Sequence, residues 1–263
     1  MRCVVLALVV LPLVVAACGG GGNSSSNGVT MTPIAYVKSA ATKTGQATSE
    51  HMKLTGSITV SGQQVTLRSD GDFDNGSRSG SMTVGFNAGG LEGTIDEVID
   101  GTTLYMRSPL FADALPKGKT WLKLDLAKAA AAQGLDLSSL GAQSPTQTLA
   151  QLGGLASVTE VGDEQIGGAD TTHYRGRIAK LPQPKSAAAR AFLAGARYGP
   201  YDVWVGKDDG YVHRVKFSFA TASRQQIALT SDFSDFGKDV SVTVPAESET
   251  VDATNKTIQG LGG

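Results

Sequence analysis

From residue 51 onward, apolar and polar residues alternate with a period of two. His51–Val60, Gln64–Phe73 and Ser81–Asn87 each place their apolar residues on one side and most of their polar residues on the other. This alternation is typical of antiparallel strands that bury one face and expose the other. Asn75-Gly76 lies between the second and third segments and favours a tight turn. The pattern predicts three consecutive strands of a meander.

The alternation continues further along the chain. Thr94–Ile99 and Thr102–Arg107 flank the turn sequence Asp100-Gly101, and Trp121–Leu124 follows as a short strand. Later strands are predicted at Val158–Val161, Thr171–Ile178, Tyr201–Val205, Tyr211–Phe219 and Gln226–Phe233. A single sheet of about ten strands must curl, because strand twist accumulates. We therefore expect an α+β fold, with a single curled antiparallel β-sheet (an open half-barrel) and several short helices covering its concave apolar face.

Helical spacing appears in four short segments. Thr32-Pro33 provides an N-cap followed by a proline in the first turn, and the first helix ends at Gly45. The other three helices are predicted at Asp125–Gln133, Ser144–Leu152 and Ser186–Ala194. These helices are the elements available to cover the concave face of the sheet.

The N-terminus has the layout of a secretory signal peptide. Arg2 gives a positive start, Cys3–Val15 is almost entirely apolar, and Ala16-Ala17 are small residues in front of Cys18. The apolar run is shorter than the roughly 20 residues that a membrane-spanning helix needs. A cysteine directly after the small residues resembles the lipobox of bacterial lipoproteins, in which the cysteine is acylated. The alternative is an ordinary signal peptide with a chance cysteine.

These features divide the chain into four parts. Residues 1–17 are the predicted signal peptide, and residues 18–31 comprise the lipidated Cys18 and a flexible Gly/Ser tether. A lipid-binding half-barrel domain is expected at residues 32–245, followed by a polar C-terminal tail at residues 246–263 that packs weakly. The ten residues 19–28 of the tether would span about 16–19 Å as a flexible coil.

Composition excludes several classes of function. The net charge is −1, which provides neither a nucleic-acid footprint nor a polybasic surface for anionic lipid. Membrane attachment would then depend on the acyl chains, at the outer face of the cell membrane. The two cysteines are Cys3 and Cys18, so cleavage and acylation would leave no thiol for a disulfide.

No arrangement of residues points to catalysis. His51, His173 and His213 do not form a ligand-spaced pair, and a structural role is the simpler interpretation of each. His213 is the best candidate, because alternation places it on an apolar strand face. Asp70–Gly76 is similar to a calcium loop, but Ser81 occupies the position of the bidentate glutamate. We therefore expect a protein that is not an enzyme, with no catalytic residue, metal or cofactor.

Three segments in order resemble a known family. They are His51-Met52-Lys53-Leu54 after a short helix, Thr120-Trp121-Leu122-Lys123-Leu124-Asp125, and Tyr201-Asp202-Val203-Trp204-Val205-Gly206-Lys207 leading into a strand. Together with the lipobox they are similar to the LppX/LprG-type lipoproteins of actinobacterial cell envelopes, across most of residues 31–245. The resemblance implies a fold like that of the periplasmic lipoprotein carriers (LolA-like) and a hydrophobic cavity for an acylated lipid or glycolipid.

Two functions remain open at this stage. The first is a carrier or chaperone in envelope lipid transport, with no transport partner identified. The second is an envelope interaction or sensor domain on the same scaffold, with a filled core and an exposed apolar patch. For the carrier, the apolar strand faces supply the predicted cavity lining: Met52, Leu54, Met82, Val84, Phe86, Leu104, Met106, Val203 and Phe217.

Overall fold

The computed structural model describes residues 31–60, 63–132, 149, 152, 154–178, 195–221 and 225–255. Its main element is one sheet of twelve strands. The strands are β1 Ser49–Val60, β2 Gln63–Asp74, β3 Ser79–Ala88, β4 Leu91–Asp100, β5 Thr103–Arg107, β6 Trp121–Asp125, β7 Leu155–Ile166, β8 Ala169–Ile178, β9 Arg197–Gly206, β10 Val212–Ala220, β11 Gln226–Ser234 and β12 Thr250–Asp252. The helices are α1 Pro33–Gly45, α2 Pro109–Ala112 and α3 Leu126–Ala132.

Two antiparallel meanders form the sheet. The spatial order is β12-β6-β5-β4-β3-β2-β1-β11-β10-β9-β8-β7, so each strand from β1 to β6 and from β7 to β11 pairs with the next one in sequence. Antiparallel pairing of β1 with β11 joins the two meanders. The sheet does not close into a barrel, because β12 and β7 form its two ends. The prediction of one large, mostly antiparallel sheet is confirmed.

Two glycines allow neighbouring strands in the first meander to approach closely. A Cβ added at Gly71 would lie 2.4 Å from the Cβ of Met82, and one added at Gly80 would lie 2.3 Å from the ring of Phe73. Any side chain at these two positions would therefore displace its neighbour.

α1 packs on the second meander. The side chain of Thr32 accepts a hydrogen bond from the Ala35 amide, as the predicted N-cap requires. The hydroxyl of Thr44, which is fully buried, donates to the Ala40 carbonyl at 2.8 Å and accepts from the Val212 amide at 2.8 Å. Lys43 donates to the Asp209 carbonyl in the β9–β10 turn. These bonds attach the C-terminal end of α1 to β10 and to the turn before it.

The main core lies between α1 and one face of the sheet, which we call the inner face. Val37 of α1 is fully buried there with Val203, Val205, Val212 and Phe233. On the opposite, outer face, a smaller cluster of Val98, Tyr105 and Trp121 is covered by Val242 from the segment after β11. No helix in the described part of the chain has the length and hydropathy to span a membrane.

One predicted boundary is wrong. The segment from residue 246, expected to be a weakly packed polar tail, contributes β12, which pairs in parallel with β6. Thr254 is also buried there and accepts a hydrogen bond from the Asp125 amide. The predicted helices at Ser144–Leu152 and Ser186–Ala194 lie largely outside the described residues, as do Cys18 and the tether.

Candidate functional site

The nine predicted cavity residues all lie on the inner face of the sheet. In antiparallel strands, residues directly opposite each other point to the same side. Met52 lies opposite Gly71, Gly71 opposite Met82, Met82 opposite Glu97, and Glu97 opposite Met106. We call these five residues the methionine row. It crosses five strands on the inner face.

Parallel rows place the other candidates on the same face. Leu54 and Val84 both lie opposite Ser69, and Phe86 lies opposite Leu67. Leu104 lies opposite Ile99, in the row next to the methionine row. In the second meander, Val203 lies opposite Val215, and Phe217 lies opposite Tyr201. The sequence periodicity therefore assigned the direction of these nine side chains correctly.

Burial divides the nine residues into two groups. Met52 and Val203 are buried in the main core, and Leu54, Met82 and Phe217 pack against it. The remaining four residues are half-buried and do not belong to that core: Val84, Phe86, Leu104 and Met106. These four, all on β3 and β5, are the inner-face candidates that lie outside the described main core.

One acid interrupts the apolar inner face. Glu97 lies between Met82 and Met106 in the methionine row, and its side chain is half-buried. Burial raises the pKa of this carboxyl above its ordinary value. Glu97 was not among the residues predicted from sequence. The adjacent acids Asp96-Glu97 nevertheless carried a signal, because alternation forces one of two neighbours in a strand to face inward.

A second acid is buried beside the core. Glu50 lies opposite Phe73 and is only 1% exposed. Its Oε2 accepts a hydrogen bond from Asn75 Nδ2 at 2.6 Å, whereas its Oε1 is buried with no hydrogen-bond partner among the described residues. Burial raises the pKa of Glu50 to about 7 against the opposing effect of the Asn75 hydrogen bond. Glu50 was also missed, because the predicted strand began one residue later.

The outer face carries a polar network around His173. The two ring nitrogens of His173 lie 3.0 Å from Glu164 Oε1 and 2.9 Å from Asp202 Oδ1. Its ring stacks on Trp204 at a centroid distance of 4.2 Å. Arg175 donates to the same Asp202 oxygen at 2.7 Å. With both nitrogens and the ring face engaged, His173 acts as a structural link between β7, β8 and β9.

The predicted position of His213 is wrong. The register of β10 shifts between Val212 and Arg214, so Val212 rather than His213 joins Val215 in the main core. The His213 ring instead lies 2.9 Å from Asp209 Oδ2 and meets the edge of Phe236. The bulge breaks the strict alternation on which the sequence prediction relied.

Two adjoining depressions open beside the outer face. One, of about 600 Å³, crosses β2, β1, β11 and β10, and its mixed lining includes five serine or threonine residues together with Arg68 and Lys216. The other, of about 640 Å³, shares Thr66 and Arg68 with the first and continues to Phe86 and Leu110 beside α2. Phe217 and Phe86 are the predicted cavity residues that contribute to the lining of these depressions. The mixed polar and apolar lining of these depressions differs from the apolar inner face.

Comparison with solved structures identifies the fold. LprF from Mycobacterium bovis superimposes with a TM-score of 0.54 at 15% identity, and the match covers 81% of this chain and 97% of that chain. The chain has the LprF fold. The lipoprotein LppX of Mycobacterium tuberculosis is also similar, with a TM-score of 0.49 at 16% identity over 80% of this chain and 97% of LppX. The resemblance inferred from sequence is confirmed at the level of the fold.

Comparison of sequences adds one distant relative. An uncharacterized 31.2 kDa protein from the rplA–rplJ intergenic region of Streptomyces griseus is 28% identical over 255 residues, which covers 87% of this chain and 82% of the relative. No protein-family model matches the chain.

Proposed function

We propose that this protein is a membrane-anchored lipoprotein of the cell envelope that binds an acylated lipid or glycolipid on the inner face of its sheet. In this proposal the domain acts as a carrier or chaperone in envelope lipid transport. It performs no catalytic step. The fold shared with LprF and the lipobox-like Ala16-Ala17-Cys18 support the assignment.

The observation that carries the proposal is the extent of the apolar inner face. It continues across the first meander, where Val84, Phe86, Leu104 and Met106 remain half-buried, whereas α1 packs on strands of the second. An acyl chain gains roughly 0.8 kcal/mol per buried CH₂, so such a surface can bind lipid tightly without many polar contacts. Methionine side chains adapt to acyl chains of different shape.

The anchor is the second part of the proposal. We assign acylation to Cys18, which follows Ala16-Ala17 at the end of the apolar N-terminal run. Acyl chains there would hold the domain at the outer face of the cell membrane on the tether of residues 18–31. The inner face would then lie within a short distance of the lipids that it binds.

A pair of tryptophan variants on β3 tests the lipid site. Val84 faces inward, whereas its neighbour Thr83 is exposed on the outer face and donates to Asp96. Val84→Trp should fill ligand space and reduce the lipid that co-purifies with the domain several-fold, while Thr83→Trp should leave it unchanged. The measurement is lipid per mole of protein by mass spectrometry after expression in a lipid-rich host, with circular dichroism as the folding control. Equal lipid content in the two folded variants would contradict the proposed site.

A second candidate function rests on a different observation. Leu91 in the β3–β4 hairpin and Leu110 of α2 are 56% and 50% exposed. A Cβ at Gly93, two residues from Leu91 on the same face of β4, would meet both Leu110 and Phe86, so Leu110 packs on the face of β4 that Leu91 shares. An exposed apolar patch suits an interaction or sensor domain. If the wild-type domain retains no lipid after exposure to added diacyl and triacyl lipids, this interpretation replaces the carrier.

A further inference from the structure

The methionine row contains one group that an apolar ligand does not require. Glu97 faces the same side of the sheet as Met82 and Met106, which lie directly opposite it on β3 and β5. Its same-face neighbours along β4 are Ile95 and Ile99. All four of these side chains are apolar, so the carboxyl is the only charged group that the described residues place at this point of the inner face.

Nothing in the described part of the protein satisfies this carboxyl. Glu97 makes no hydrogen bond or ion pair with the described residues, in contrast to Asp96 next to it, which accepts from Thr83 and Arg107 on the outer face. Burial without a partner is the cause of its raised pKa. A half-buried, unpaired acid lowers stability relative to an apolar residue, because it loses water without gaining a protein donor.

We propose that Glu97 recognises the lipid, by accepting a hydrogen bond from a hydroxyl group that lies close to the acyl chains of the ligand. This inference rests on the proposed function and specifies its ligand class: uncharged acyl lipids with a free hydroxyl, such as diacylglycerols and their glycosylated forms. An anionic headgroup is disfavoured at this position, because no basic residue lies in the methionine row to offset repulsion from the carboxylate.

The chemistry of the site explains this choice. A fully acylated lipid would cover Glu97 with hydrocarbon and complete its desolvation, whereas a hydroxyl would replace the lost water. A hydrogen bond to a charged acceptor contributes about 1.5–3 kcal/mol, so the preference for the hydroxylated lipid should be about 10-fold or more.

A competition between two neutral lipids tests the inference. The purified domain is incubated with equimolar 1,2-dioleoylglycerol and trioleoylglycerol, and the retained lipids are counted by mass spectrometry. Wild type should retain the diacylglycerol about 10-fold over the triacylglycerol. Glu97→Met, which extends the methionine row, should lose the preference and retain more triacylglycerol. Glu92→Met, in the same strand but exposed on the outer face, should behave as wild type.

The outcomes distinguish a failure of lipid recognition by Glu97 from a failure of lipid binding by the inner face. Retention of both lipids in equal amounts by wild type, or an unchanged preference in Glu97→Met, would overturn the role of Glu97 and leave the lipid site in place. Failure of wild type to retain either lipid would overturn both. If Glu97→Met does not fold, Glu97→Gln replaces it: the amide oxygen still accepts a hydrogen bond but carries no charge, so the preference should fall to an intermediate value.

Discussion

At the scale of single residues, two acids occupy inward positions that alternation alone dictates. Glu50 points to the same face of the sheet as Met52 and Leu54 on β1, and Glu97 points to the same face as Ile95 and Ile99 on β4. Their burial makes both carboxyls harder to ionise. They differ in environment, because Glu50 is enclosed beside the core whereas Glu97 is only half-buried. We therefore assign a stability effect to Glu50 and ligand recognition to Glu97.

Glu50 should make the protein less stable as the pH rises. Its folded pKa of about 7 lies above its ordinary value of 4.5. Below pH 4.5 the carboxyl is protonated in both the folded and the unfolded state, and between pH 4.5 and about pH 7 it ionises mainly in the unfolded chain. The free energy of unfolding therefore falls by on the order of 3 kcal/mol as the pH rises through this window. Glu50→Gln removes the titration, so its stability relative to wild type should increase by that amount between pH 5 and pH 8.

Urea denaturation at the two pH values measures this difference. Glu92→Gln is the control, because Glu92 is an exposed acid on the outer face and should leave the slope of wild type unchanged. A Glu50→Gln variant with the same pH slope as wild type would show that Glu50 is not the titrating group.

At the scale of elements, periodicity predicts long strands well and short edge strands poorly. β1, β2 and β3 follow from alternation over about ten residues, and α1 follows from Thr32-Pro33 and the stop at Gly45. β12 has only three residues in a polar segment and pairs in parallel with β6. Its position depends on a contact with a strand more than 100 residues earlier, which local sequence does not encode.

Deletion of the segment from residue 246 tests the importance of β12. A chain that ends at Pro245 loses the Glu249 carbonyl that accepts from Thr120, the Ala253 amide that donates to Lys123, and the Thr254 hydroxyl that accepts from Asp125. At about 1 kcal/mol net for each bond, the expected loss is on the order of 3 kcal/mol. A chain that ends at Asn255 keeps all three bonds and serves as the control. Equal thermal midpoints for the two truncations would show that β12 contributes nothing to stability.

At the scale of the whole molecule, sequence predicts the type of sheet and the direction of its apolar face, but not how that face is filled. The nine cavity residues share one face because the side-chain period in a strand is two. Which of them are sealed beneath α1, as Val203 is, depends on helix packing. The bulge at His213 also required the strand register, because it breaks the alternation. The direction of these nine side chains could thus be predicted, whereas their packing against α1 could not.

The attachment of the molecule to a membrane should depend on one residue. The net charge is close to zero, so electrostatic attraction to anionic lipid is too weak to hold the domain at a membrane. One acyl chain gives only marginal binding, and two or more give a stable anchor. Cys18→Ala should therefore abolish incorporation of an alkyne fatty acid and leave the precursor uncut or the product unanchored. Cys3→Ala changes the other cysteine, which lies inside the predicted signal peptide, and should be labelled as strongly as wild type. Equal labelling of Cys18→Ala and Cys3→Ala would place the anchor elsewhere.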